Sequence, residues 1–182
     1  KTREFIMKDL YSFCKTKEEQ DNYYEKVKEA YVKIFKRLGL GEITYLTFAS
    51  GGIFSKYSHE FQTICEGGED EIFINDKKKI AVNKEVLTDE VLSDLGLNKD
   101  ELRAVKASEV GNIFSLGTKF SEPLGLTYTD EKGEKQPVWM GSYGLGPARI
   151  MGVIVESFAD EKGLIWPEAV APFSLHLVSL FK

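Results

Sequence analysis

The sequence predicts a mixed α+β domain built around an antiparallel sheet. Two observations carry this prediction. Strand-like segments and helices follow one another in a mixed order, and each of the two main helices, residues 24–38 and 150–158, presents an apolar face suited to packing on a sheet. With 182 residues, 42% of them hydrophobic and 29% charged, the chain is large enough for one domain with a sizeable core.

Bulk properties exclude several function classes. A net charge of −5 offers no broad basic surface for nucleic acid. Cys14 and Cys65 are the only cysteines, too few for a disulfide framework or a metal set, so a reduced, cytoplasmic setting is expected. No apolar run approaches a membrane span and no secretory signal is visible, so no membrane association is expected. There is no Ser-His-Asp arrangement for covalent catalysis.

Each element has a local reason. Residues 3–14 mix apolar and charged side chains in rough alternation, as a strand does. Residues 17–38 form the clearest helix: Tyr24, Val27, Tyr31, Ile34, Phe35 and Leu38 recur at helical spacing. Thr16 caps it, Glu18 and Glu19 occupy its first turn, and Gly39 stops it. Residues 43–49 read as a strand, followed by a loop at Ser50, Gly51 and Gly52. The next strand carries His59 and Glu60, and adjacent strand positions point to opposite faces, so simple alternation admits only one of the two to a given pocket. Segments 72–74 and 79–82 are short strands around a hairpin connection at 75–78. Thr88 caps a short helix running to Leu95, with Gly96 as its stop.

Strand character returns over 105–120, and residues 126–129 and 136–140 form a hairpin across a turn at 130–133. That hairpin delivers the stretch 140–156, which reads as strand, glycine-rich bend and buried helix. Gly141, Gly144 and Gly146 interrupt an apolar run in which Arg149 is the only cation. An arginine at the start of an apolar helix, beside such a bend, is well placed to meet a phosphate through two hydrogen bonds. Pro167 and Pro172 stiffen an extended exit, and 174–180 alternates as a strand would.

The stretch 140–156 resembles motif 3 of the class II aminoacyl-tRNA synthetases, in their prolyl form. Residues 1–13, Lys-Thr-Arg-Glu-Phe-Ile-Met-Lys-Asp-Leu-Tyr-Ser-Phe, resemble the second half of motif 2. Ser58-His59-Glu60-Phe61 and the segments 109–114, 116–121, 163–167 and 171–173 match in the same order. The resemblance runs nearly end to end and is to the bacterial kind with a short segment in place of a large editing insertion.

The resemblance implies a class II antiparallel sheet flanked by helices. Residues 1–14 would be the motif 2 return strand, 84–104 a compact linker too short for editing, and 140–156 motif 3. The anticodon-binding domain is expected to lie outside this sequence, so the chain is expected to be a piece of the catalytic core. The implied activity of the full-length protein is ATP-dependent activation of proline, with Mg2+, and its transfer to tRNA(Pro). A homodimer is implied, and the piece alone is not expected to catalyse efficiently. Arg149 would meet the γ-phosphate as the catalytic cation. Phe5 would stack on adenine, with Arg3 and Glu4 close to the nucleotide. Glu109 would hold Mg2+ or the ribose, and Thr118 would supply a hydroxyl. One of His59 and Glu60 would border the proline pocket, His59 ahead of Glu60, over a floor of Gly141, Ser142 and Gly144. Asn112, Ser115 and Ser142 depart from the His, Gln and Cys of many relatives, and the Cys-x-x-Cys pair of some is missing, so no structural zinc is expected. These departures leave a second expectation, a synthetase-like paralogue acting as a non-catalytic binding or regulatory module.

Overall fold

One helix and one long strand set the fold. The computed structural model describes residues 4–52 and 57–180. Helix α1 (Lys17–Arg37) begins where the Thr16 hydroxyl accepts the Glu19 N–H at 3.1 Å. Lys36 and Arg37 in the last turn complement the helix dipole, and Gly39 turns the chain away at φ 77°. Val27, Tyr31 and Phe35 are its buried stripe.

The sheet has seven strands: β1 (Lys8–Cys14), β2 (Thr44–Ser50), β3 (Tyr57–Ile64), β4 (Asp70–Asn75), β5 (Ile80–Asn83), β6 (Arg103–Gly117) and β9 (Trp139–Leu145). Their order is β1-β9-β6-β3-β2-β5-β4, and every pairing is antiparallel except β2 with β5. The 15-residue β6 serves three neighbours in turn, β4 at its start, β3 in the middle and β9 at its end. Its second edge contact with β4 closes part of the sheet into a ring, packed with Tyr45, Ile72, Ile74, Ala81 and Ala107. Helix α2 (Asp89–Asp94), capped by the Thr88 hydroxyl, adds Val91 and Leu92 to a small cluster with Val82 and Leu97.

Helix α3 (Pro147–Phe158) follows β9, and a two-stranded turn of β10 (Ala159–Asp160) and β11 (Gly163–Leu164) follows it. The main core lies between one face of the sheet and both long helices. It joins Val27, Tyr31 and Phe35 of α1 to Ile150, Val153 and Ile154 of α3 across Phe61, Ile113, Tyr143 and Leu145. Among the described residues no helix is long and apolar enough to cross a membrane.

The α+β architecture and its antiparallel sheet match the expectation, and four details differ. The first strand starts at Lys8 rather than residue 3. Gly141 and Gly144 lie inside β9, not in a bend; only Gly146 marks the turn, and α3 is buried on one face, with Met151 and Val155 exposed. The hairpin of β7 (Thr127–Thr129) and β8 (Lys135–Pro137) ends at Pro137, and Trp139 already belongs to the main sheet. Residues 174–180 form no strand: alternation needs a neighbouring strand to accept its backbone hydrogen bonds, and none of the described strands pairs with this segment.

Candidate active site

The two faces of the sheet are told apart by what their side chains touch. On β1, Ser12 donates to Gln20 Oε1 at 2.8 Å and Lys8 donates to the Tyr31 hydroxyl at 2.6 Å, so the even positions face α1. Asp9, Tyr11 and Phe13 therefore face the other way, and Tyr11 and Phe13 are exposed. The register aligns Asp9 with Gly144, Gly144 with Asn112, and Asn112 with Glu60, one row across four strands on this open face. Ser142 lies in the next row, between Tyr11 and Phe114.

At the end of this row, where β9 gives way to α3, is a cavity of about 350 Å3 lined by Phe5, Met7, Glu109, Asn112, Gly146 and Arg149 among others. Its chemistry favours a polyanion. Gly146 caps α3 with no side-chain hydrogen bond, and the first turn holds no acidic residue, so N–H groups and the positive end of the helix dipole are open to a ligand. Arg149 sits in that same turn, where a cation gains nothing from the helix itself. Its Nη1 donates to the Glu109 carbonyl at 2.6 Å and lies 3.4 Å from Glu109 Oε2. The pair is exposed enough to add little stability. Glu109 Oε1 accepts from Asn112 Nδ2 at 2.9 Å. Phe5 is 63% exposed, a free ring at the mouth of the cavity.

Glu60 is a partly buried carboxylate in the row. Gln62 Nε2 donates to it at 2.9 Å and to Asp70 Oδ2 at 2.6 Å, while the buried Gln62 Oε1 has no partner among the described residues. Burial first, and the nearby Glu109 charge second, push the Glu60 carboxyl up to about 7. His59 turns to the helix side. Its Nδ1 hydrogen-bonds the Tyr24 hydroxyl at 2.7 Å, its ring meets Phe48 edge-on at 4.5 Å, and burial pushes it down to about 4, so it is neutral. Of the two, Glu60 shares a face with Ser142 and Gly144.

The structure thus brings together Phe5, Glu109 and Arg149 at the cavity, with Glu60, Ser142 and Gly144 on the adjoining face. Glu4 immediately precedes the cavity wall, and Arg3 lies outside the described residues. Gly141 faces the helices, where a Cβ would come within 2.3 Å of the Tyr143 hydroxyl and 2.5 Å of Gln20 Nε2. Thr118 lies in the turn beyond β6, nine residues and so roughly 30 Å along the strand from Glu109. Sequence reasoning missed Asp9, Met7 and Gln62. The alternation of β1 was the available signal for Asp9; nothing local marks Gln62 as buried.

A largely antiparallel sheet with both long helices on one face, and a nucleotide-sized cavity at the uncapped start of the second, is the frame of a class II synthetase core. The chain belongs to that family: residues 1–158 match the tRNA synthetase class II core domain (G, H, P, S and T). Its curated relatives include the proline–tRNA ligases of Wolbachia sp. subsp. Drosophila simulans, 36% identical over 98% of this chain, and of Rickettsia akari, 37% identical over 98%. That of Agrobacterium fabrum is 36% identical over 99%. The chain spans 44%, 44% and 46% of these relatives' lengths. Among solved structures, the prolyl-tRNA synthetase of Cryptosporidium parvum complexed with L-proline and AMP superposes with a TM-score of 0.63 at 22% identity, covering 94% of this chain and 28% of that one.

Proposed function

We propose that the protein to which this chain contributes activates proline with ATP and transfers it to tRNA(Pro). The observation that supports this most is one cavity shared by the exposed Phe5 ring and by Arg149 at the open N-terminus of α3. The proline–tRNA ligase relatives and the L-proline and AMP of the Cryptosporidium complex agree with it.

In this reading adenine stacks on Phe5, with Glu4 nearby, and the phosphates lie against the first turn of α3 and Arg149. The proline carboxylate attacks the α-phosphate in line and pyrophosphate leaves, so the protein's part is positioning and charge neutralisation. Proline rests on the open face among Glu60, Ser142 and Gly144. Among the described residues no three His, Cys, Asp or Glu side chains converge on a point. A Mg2+ carried by nucleotide phosphates needs only one or two protein carboxylates, and Glu109 at the cavity fits that role. Such an ion would neutralise phosphate charge. A homodimeric, cytoplasmic full-length enzyme that receives tRNA largely outside this acidic chain completes the proposal.

The test is proline-dependent pyrophosphate exchange by the full-length protein. Arg149→Ala is expected to slow it ~10²-fold or more, since one preorganised charge contact is typically worth that much. Arg149→Lys should recover only part, because an ammonium lacks the two-pronged donor geometry. Absence of exchange by the wild-type protein would favour the non-catalytic synthetase-like module.

A further inference from the structure

We propose that Asn112 is a positioning residue: its amide fixes the Glu109 carboxylate, and Glu109 in turn holds Arg149 toward the nucleotide cavity. This rests on the function proposed above, but its geometry stands by itself. Asn112 Nδ2 donates to Glu109 Oε1 at 2.9 Å, which leaves Oε2 for Arg149 Nη1 at 3.4 Å. The same nitrogen donates to the Glu109 carbonyl at 2.6 Å. The carboxylate is thereby divided between one neutral donor and one cation.

That meeting requires a defect in the strand. Residues three apart on a regular strand point to opposite faces, so Glu109 and Asn112 should not touch. The β3–β6 register slips between Phe61 and Gln62, with Phe61 opposite Gly111 but Gln62 opposite Glu109, so Val110 is an extra residue. This bulge re-aims Glu109 onto the face of Asn112. Gly144 keeps the space: a Cβ there would stand 3.0 Å from Asn112 Oδ1.

Residue type is constrained as well. Asn112 lies directly beside Glu60 in the register and bonds Glu109, and the negative charge of Glu109 already raises the Glu60 carboxyl. An aspartate of the same shape would lose the donor and add a third charge, whereas the amide supplies two N–H groups and no charge.

The experiment uses the full-length protein, with AMPPNP titration, KM for ATP against kcat in pyrophosphate exchange, and unfolding temperature. Asn112→Ala is expected to weaken AMPPNP binding and raise KM for ATP about 5- to 10-fold, the typical net worth of one ordinary hydrogen bond, because Asn112 acts on the nucleotide only through Glu109. Melting should be almost unchanged. Asn112→Asp is expected to cost more than Asn112→Ala, and Asn112→His, which retains a ring N–H donor, should recover part. In a Glu109→Gln background, Asn112→Ala should add less than about twofold, because the two residues act as one unit. Unchanged AMPPNP affinity in Asn112→Ala and Asn112→Asp would overturn the proposal. So would an Asn112→Ala effect of full size in the Glu109→Gln background, which would mean Asn112 acts without Glu109. If Asn112→Asp does not fold, the alanine cycle decides alone. Coupling of Asn112 to Glu109 in AMPPNP binding by a protein that performs no proline-dependent exchange would sustain this proposal and sink only the proposed reaction.

Discussion

His59 and Glu60 are neighbours on β3, yet they belong to two differently built surfaces. On the helix side, polar groups pair with one another inside an apolar and aromatic core: Tyr24 with His59, and Ser12 with both Gln20 and Tyr143. Phe35 and Phe61 stack among them with ring centres 5.3 Å apart. On the open side stand carboxylates, an amide, glycine Gly144 and the exposed rings of Tyr11 and Phe13. One face stabilises the fold. The other keeps polar and ionisable groups partly desolvated, an arrangement that adds little stability and is characteristic of ligand sites.

The largest break in that comparison comes from aromatic truncation. Phe61→Ala, which empties a site 2% exposed, should cost about 3–5 kcal/mol. Phe13→Ala, at a site 61% exposed, should stay within about 0.5 kcal/mol. Denaturant unfolding of the two variants measures both; equal losses would mean the open face is also core.

Two glycines of β9 give a sharper contrast. An added methyl at Gly141 would enter the buried Ser12–Gln20–Tyr143 cluster, with contacts of 2.3–2.8 Å, so Gly141→Ala should destabilise by about 2–3 kcal/mol through overpacking. At Gly144 the nearest atoms are Asn112 Oδ1 at 3.0 Å and Met7 Cε at 3.3 Å, and Gly144→Ala should cost under about 1 kcal/mol in stability. Its effect should fall on AMPPNP affinity instead. A Gly141→Ala protein as stable as wild type would contradict the close packing under β9.

The smallest effect is a pH dependence in which the two faces oppose each other. Glu60 is raised from 4.5 to about 7, so its contribution is fully present below 4.5 and lost as pH rises through 7. His59 is lowered from 6.5 to about 4, so its contribution is present above 6.5 and lost as pH falls toward 4. Between pH 4.5 and 6.5 the two nearly cancel. Glu60→Gln should unmask a stability that rises with pH in this window, and His59→Asn one that falls, each by about 1–2 kcal/mol after allowance for partial solvent screening. Parallel slopes in the two variants would show that these groups do not carry the dependence.

How far the sequence spoke depends on the range of the cause. Helix α1 was legible because cap, stripe and stop are local, and Arg149 because a lone cation in an apolar run is a local anomaly. The alternation separating His59 from Glu60 was legible too, but which face would be covered depends on where α1 docks, and nothing within β3 says so. The bulge at Val110 had only Gly111 beside it as a hint, and without the bulge Glu109 and Asn112 have no reason to meet. Gly141 read as loop chemistry because a glycine pressed against a helix has the same local signature as one in a bend. Residues 174–180 show the converse: a correct strand period with no strand beside it.

The pairing of β1 with β9 has a consequence for how the molecule assembles. Lys8 and Leu145, partners in that ladder, are 137 residues apart in the chain, against 29 for Ile74 and Arg103. Closing the longer loop costs about 1 kcal/mol more in chain entropy, and such distant pairings are slow to form. The ring of β2 to β6 can therefore zip up while the first strand is still loose. Because Phe5 and Met7 sit on the residues just before β1, their wall of the cavity is in place only when β1 is paired with β9. On the function proposed above, nucleotide affinity would then double as a gauge of finished folding: a nascent copy with its central ring intact and β1 undocked would have most of its secondary structure and an incomplete nucleotide cavity.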